Sequence, residues 1–154
     1  MSKAVLLSIQ PKWCELITSG KKTVEVRKRI PKLEPPYKCY IYETQGRTET
    51  PFVDEEGHFI FKGRGEVIAE FICDDTECFA IDYRGDEKQN KRISETSCVS
   101  LCELDEYGYN SPCLYALHIS ELKVYDKPKS LSEFKNSKNK IIERAFQSWG
   151  YVED

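Results

Sequence analysis

The reading of this chain turns on Gly20-Lys21-Lys22-Thr23-Val24-Glu25-Val26-Arg27. The two sides of this stretch follow different periods. Before it, Pro11 is suited to the first helical position, Trp13, Leu16 and Ile17 recur at i, i+3 and i+4, and Gly20 can take the left-handed conformation that closes a helix. Residues 11–19 therefore read as a short amphipathic helix. From Thr23 the period falls to two, with Val24 and Val26 on one face and Thr23, Glu25 and Arg27 on the other. A strand of this kind sets the Cα atoms of Glu25 and Arg27 about 6.5 Å apart, close enough to pair or to share a ligand.

Working outward, Ala4-Val5-Leu6-Leu7-Ser8-Ile9 is a branched, apolar run suited to a buried first strand. The segment 28–36 carries Pro31, Pro35 and Pro36 among basic residues and reads as a partly rigid basic loop. Strands are expected at 38–43 and 65–74. Between them, 45–63 reads as a long loop or hairpin excursion with Phe52, Phe59 and Phe61 as aromatic anchors. Residues 82–95, nearly all polar, are expected to form a surface loop, followed by a helix capped by Thr96 or Ser97 and stopped near Gly108. In 115–125 the apolar parity shifts around Ser120, as a β-bulge would produce. Ser130-Leu131-Ser132-Glu133 fits a capping box for a brief helix. Ile142, Ala145, Phe146 and Trp149 keep helical spacing up to Gly150, and Tyr151 and Val152 suit a last strand.

With 154 residues, no repeat and no linker of distinct composition, one domain over 1–154 is expected. Its strands are expected to form one mixed sheet, and closing that sheet into a small barrel would remove its edges. Seven cysteines at irregular spacing, and a Met1-Ser2-Lys3 start that leads directly into a strand, point to reduced thiols and a cytoplasmic protein. No apolar run is long enough to cross a bilayer, so no membrane role is expected. Residues 1–40 carry nine Lys/Arg against three acids, whereas 41–154 carry fourteen against twenty-three. A basic end suits a nucleic-acid or phosphate partner, although a solvated charged surface explains the same pattern.

Gly20, Lys22, Glu25 and Arg27 fill the four fixed places of a signature written glycine, any residue, lysine, two residues, glutamate, one residue, arginine. With the Ser8-Ile9-Gln10-Pro11 lead-in, the Tyr40-Ile41-Tyr42 strand, the Gly65 strand and Phe146-Gln147-Ser148-Trp149 in that order, the chain resembles the ASCH family. The resemblance covers most of the chain except about 44–63 and 82–95. It implies an α+β, mainly-β fold: a small PUA-like barrel of about five to seven strands with a few short helices. It also implies a cleft beside the signature and an association with RNA or modified nucleobases.

Within such a cleft Arg27 could hold a phosphate or carbonyl oxygen, Glu25 could accept from an exocyclic amine and Lys22 could supply a second positive donor. If the strand instead turns these groups to water, Glu25 and Arg27 form a surface pair worth about 0–1 kcal/mol. Ser8 and Gln10 stand where the first strand meets the helix, a place that favours an anion or simply a helix cap. Trp13, Tyr40, Tyr42 and Trp149 offer stacking surfaces; Trp13 suits the core, while Tyr42 and Trp149 join the binding set. No metal is expected, because Cys98 and Cys102 lie one helical turn apart, Cys73 and Cys78 five positions apart, and His58 and His118 lack ligand spacing. No glycine-rich phosphate loop or nucleophile elbow is present, and no cofactor is expected.

Three classes of function follow. The first is recognition of RNA or a modified nucleotide through Ser8, Gln10, Lys22, Glu25, Arg27, Tyr42 and Trp149. The second is a small hydrolase, because some ASCH proteins resemble amidohydrolases acting on acylated cytidine through the signature lysine; here Lys22 and Glu25 would be the catalytic pair. Glu25 occupies the place where that subgroup has threonine, with Thr23 two residues away on the same side. A ribonuclease ranks below it, since the histidines are unpaired in sequence. The third is a protein-interaction domain, suggested by the acidic remainder and the 45–63 excursion; its partner is unknown.

Overall fold

The computed structural model describes residues 3–53 and 56–154, and leaves the side chains of residues 47–52, 60 and 61 outside the description. The expectations for Met1 and Ser2, and for Phe52 and Phe61 as anchors, thus fall outside the described residues. The first strand, β1 (Lys3–Ile9), is followed by helix α1 (Pro11–Thr18), β2 (Val24–Arg27) and β3 (Tyr37–Glu43). A hairpin of β4 (Arg47–Val53) and β5 (Phe59–Lys62) leads to β6 (Glu66–Phe79). Helices α2 (Glu87–Ser97) and α3 (Leu101–Tyr107) precede β7 (Leu114–Lys129) and β8 (Trp149–Glu153).

The apolar continuity of β1 has a direct cause: both of its faces are covered. Val5, Leu7 and Ile9 pack with Cys39, Ile41, Phe71, Leu117 and the α1 residues Cys14 and Ile17. Ala4 and Leu6 pack on the other side with Tyr40, Tyr42, Val67, Phe134 and Val152. A third cluster, formed by Val24, Val26, Phe79, Ile93, Leu104 and Leu114, seats α2 and α3 against β2 and the start of β7. Because Val24 and Val26 face this cluster, alternation turns Glu25 to the opposite side.

Six strands form one sheet in the order β2-β7-β6-β3-β1-β8, and β4 and β5 form a separate two-stranded sheet. The expected closed barrel is corrected to an open sheet with β2 and β8 at its edges. Strand β2 has four residues, all paired with β7, and where it nears the start of β8 the link is a side chain, Arg27, rather than a backbone ladder.

Other expectations also change. The polar stretch 82–95 contains most of α2, whose N-cap is Asp86, accepting from the Lys88 and Gln89 amides. Ser100 caps α3 by accepting from the Glu103 amide, so Thr96 and Ser97 belong to the end of α2 instead. Thr23 precedes β2 and is exposed. The helical spacing from Ile142 to Trp149 forms no helix. Phe146 instead lies on Gly150, where a Cβ would come within 2.4 Å of its ring. The bulge near Ser120 is present: Glu70 pairs with Lys123 but Ile72 with Ser120, and Glu121 takes φ 48° to absorb the extra residue. The capping box at Ser130 and Glu133 is also present.

Candidate functional site

The end of β1, the start of α1, β2, α3 and the segment just before β8 enclose a cleft of about 1070 Å³. Ser8, Gln10, Lys22, Glu25, Arg27 and Trp149 all line it. Tyr42 does not: it is buried in the cluster around Tyr40 and Phe134, and alternation along β3 holds it there.

Two local features place Lys22. Gly20, at φ 82°, turns the chain after α1, and the Lys22 amide donates to the Leu16 carbonyl, so the side chain runs inward and is 1% exposed. Its Nζ donates to the Ser97 carbonyl at 2.7 Å, lies 3.6 Å from Glu25 Oε1 and sits 4.9 Å from the centre of the Trp13 ring. Burial lowers the Lys22 pKa below its ordinary value, and the Glu25 carboxylate opposes that shift without cancelling it.

Glu25 is buried too. Its Oε1 accepts from the Val26 amide at 3.0 Å, and its Oε2 stands 3.7 Å from Arg27 Nη2. A carboxylate has about four acceptor directions, so Glu25 retains capacity toward the cleft. Arg27 retains less. Its Nη1 donates to the Ser148 carbonyl at 3.2 Å and to Ser148 Oγ at 2.9 Å, and its Nη2 donates to the Ser8 carbonyl at 2.9 Å. The guanidinium is therefore a brace between β2, β1 and the approach to β8, and only its remaining donors can meet a ligand.

The Ser8 hydroxyl donates to the Phe146 carbonyl, while its amide donates to the Ser148 carbonyl at 2.9 Å. Ser8 thus fixes the 146–148 segment. Gln10 is the N-cap residue of α1, yet its side chain makes no cap hydrogen bond and is exposed at the cleft. Trp149 Nε1 donates to the Arg29 carbonyl at 3.1 Å, and the Lys32 amide donates to the Tyr151 hydroxyl at 2.8 Å. These two aromatics pin the basic 28–36 loop along the rim.

Sequence reasoning missed several lining residues. Tyr107, at the end of α3, faces the cleft with Lys28 Nζ 4.8 Å from its ring centre, and burial pushes its hydroxyl above the usual phenol range. Lys28, Arg29, Glu103 and Ser148 also line the cleft. Ser148 lay within a stretch already singled out, whereas Tyr107 carried no signal, since its role depends on how α3 docks. Among the described residues no group of three or more His, Cys, Asp or Glu could hold a metal. No helix among them is long and apolar enough to cross a membrane.

Fold and cleft together define a mainly-β domain whose polar, aromatic-lined site lies where the two edges of an open sheet approach each other. Residues 7–64 match the ASCH domain. The fold is similar to the crystal structure of ASCH from Zymomonas mobilis, with a TM-score of 0.69 and 19% identity over 98% of this chain and 88% of that one. Two variants of the same protein give the same score at 18% identity. In one a tyrosine is replaced by phenylalanine, with coverage of 99% and 92%. In the other a serine is replaced by alanine, with coverage of 98% and 89%. No curated protein matches the sequence.

Proposed function

We propose that this domain recognises RNA or a modified nucleotide by taking one unpaired base into the cleft beside Lys22, Glu25 and Arg27. The observation that carries this reading is a buried carboxylate, Glu25, held between two cations at the wall of an aromatic-lined cleft. Glu25 accepts from an exocyclic amine of the base, Trp13, Trp149 and Tyr107 offer faces for stacking, and Gln10 offers an amide. With most of Arg27 committed to backbone acceptors, the phosphate contacts fall to Lys28 and Arg29 on the rim. Association with nucleic acid is a general property of the family and supports the same reading.

Fluorescence anisotropy with short single-stranded and duplex RNA across a salt series tests it. Single strands should bind more tightly, with affinity falling as salt rises, and Lys28→Ala with Arg29→Ala should flatten that slope by about one to two phosphate equivalents. Binding that is absent, or indifferent to salt, rejects the proposal.

One observation favours a second reading, a hydrolase acting on an acylated nucleoside. A lysine 1% exposed, with its pKa lowered by burial and a carboxylate 3.6 Å away, has the makings of a general base. Against it, Thr23 is exposed outside the cleft and the Ser8 hydroxyl is engaged by Phe146. Acyl release by wild type and not by Lys22→Ala is the expected result under this reading, and no turnover by the wild type rejects it.

A further inference from the structure

The connection between β6 and β7 leaves the sheet after the Phe79–Leu114 rung. It carries both α2 and α3, and through Glu103, Leu104 and Tyr107 it forms one wall of the cleft. At the foot of this excursion Cys78 pairs in register with Tyr115, and side-chain alternation puts residue 113 on the same side as 115. Cys113 is therefore the diagonal neighbour of Cys78, one residue outside the ladder, where its backbone is free of strand pairing. The Cys113 thiol is the leading influence on the Cys78 thiol, whose pKa is pushed up to about 11, and it also raises the hydroxyl pKa of Tyr115, the register partner of Cys78. Cys78 is exposed and Cys113 half-buried, whereas Cys14, Cys39 and Cys73 are buried. Cys98 is turned elsewhere, toward the Lys21 carbonyl.

We infer that Cys78 and Cys113 form a disulfide that ties the foot of the α2–α3 excursion when the protein meets a small disulfide such as oxidised glutathione. The Cys113 thiolate attacks one glutathione sulfur, forming a mixed disulfide and expelling a glutathione thiolate. The Cys78 sulfur then attacks the Cys113 sulfur, and the Cys78 proton passes to the second departing glutathione. Two protein thiols are oxidised by two electrons, and one oxidised glutathione becomes two reduced molecules. The new bond closes residues 78–113 into a loop, which restricts the unfolded chain and holds α3 at the cleft wall.

The intact protein, equilibrated in oxidised and reduced glutathione mixtures, alkylated and digested without reduction, gives the answer by mass spectrometry. A peptide linking Cys78 to Cys113 should dominate, and should persist in the Cys98→Ser/Cys102→Ser variant. The oxidised protein should melt roughly 5–10 °C above the reduced one, a gain that Cys78→Ser abolishes. Separate glutathione adducts on Cys78 and Cys113 without a link, or links to Cys98 or Cys102 in their place, overturn the inference.

Discussion

Two carboxylates in this molecule sit at the centre of side-chain clusters, and the two clusters are built differently. Glu25 lies between Lys22 and Arg27, with side-chain exposures of 9%, 1% and 11%. Glu77, on β6, receives both guanidinium nitrogens of Arg92 from α2 and touches His118 of β7, at an exposure of 18%. The clusters are close relatives in the fold, since His118 pairs with Val24 on β2. At Glu77 direct hydrogen bonds from Arg92 win over burial and hold the carboxylate at about 2. At Lys22 burial wins over attraction to Glu25. Well-aligned charges near water relax into a fixed pair, whereas charges held 3.6 Å apart in a buried wall of the cleft keep capacity that a ligand can use.

The largest test of this difference is Glu25→Ala. It leaves Lys22 and Arg27 without their carboxylate and should cost about 3–5 kcal/mol, read as a lower urea midpoint at constant m-value. The double change Lys22→Met with Glu25→Gln should recover most of that loss. A loss below about 1 kcal/mol would make the cleft trio equivalent to an exposed pair.

Of intermediate size is the alkaline response. A lysine whose folded pKa lies below its unfolded value of about 10.4 is paid for in stability while charged, and the cost is relieved as pH rises from the folded pKa toward the unfolded one. Wild-type stability should therefore gain in that window relative to Lys22→Met. A parallel pH profile for the two proteins would remove the claim that burial dominates at Lys22.

The smallest effect is expected at Glu77→Gln, about 1 kcal/mol at neutral pH because Arg92 is half exposed. Glu77 has a depressed folded pKa, so its contribution is present above the unfolded value of about 4.3 and fades as pH falls toward about 2. Acid titration of stability should lose that component in the variant. A loss as large as that of Glu25→Ala would erase the contrast.

The elements legible in the sequence were those whose local chemistry and burial agree. Pro11 and Gly20 bracket α1, and the parity shift at Ser120 marks a bulge that Glu121 provides. Helix α2 was missed because its buried face is Asn90, Ile93 and Ser97, too polar to register as an apolar stripe, although Asp86 was available as a cap. The false helix at 142–149 arose because Ile142 and Phe146 face the sheet from an irregular segment, Phe146 settling on the bare backbone of Gly150. In the cleft, Lys22, Glu25 and Arg27 could be named from one stretch. Tyr107 could not, since its position depends on tertiary docking. Nor could the sequence foresee that Arg27 would spend its donors on Ser8 and Ser148.

That brace sets an order of events. Arg27 reaches a partner 121 positions further along the chain, a contact that local structure cannot supply and that closes late where distant segments must meet. During synthesis, β1, α1 and β2 can emerge with their signature complete and still lack a site. The cleft comes into being only once residues 146–149 have been made and laid beside Ser8, so competence to bind arrives as one of the last acts of folding.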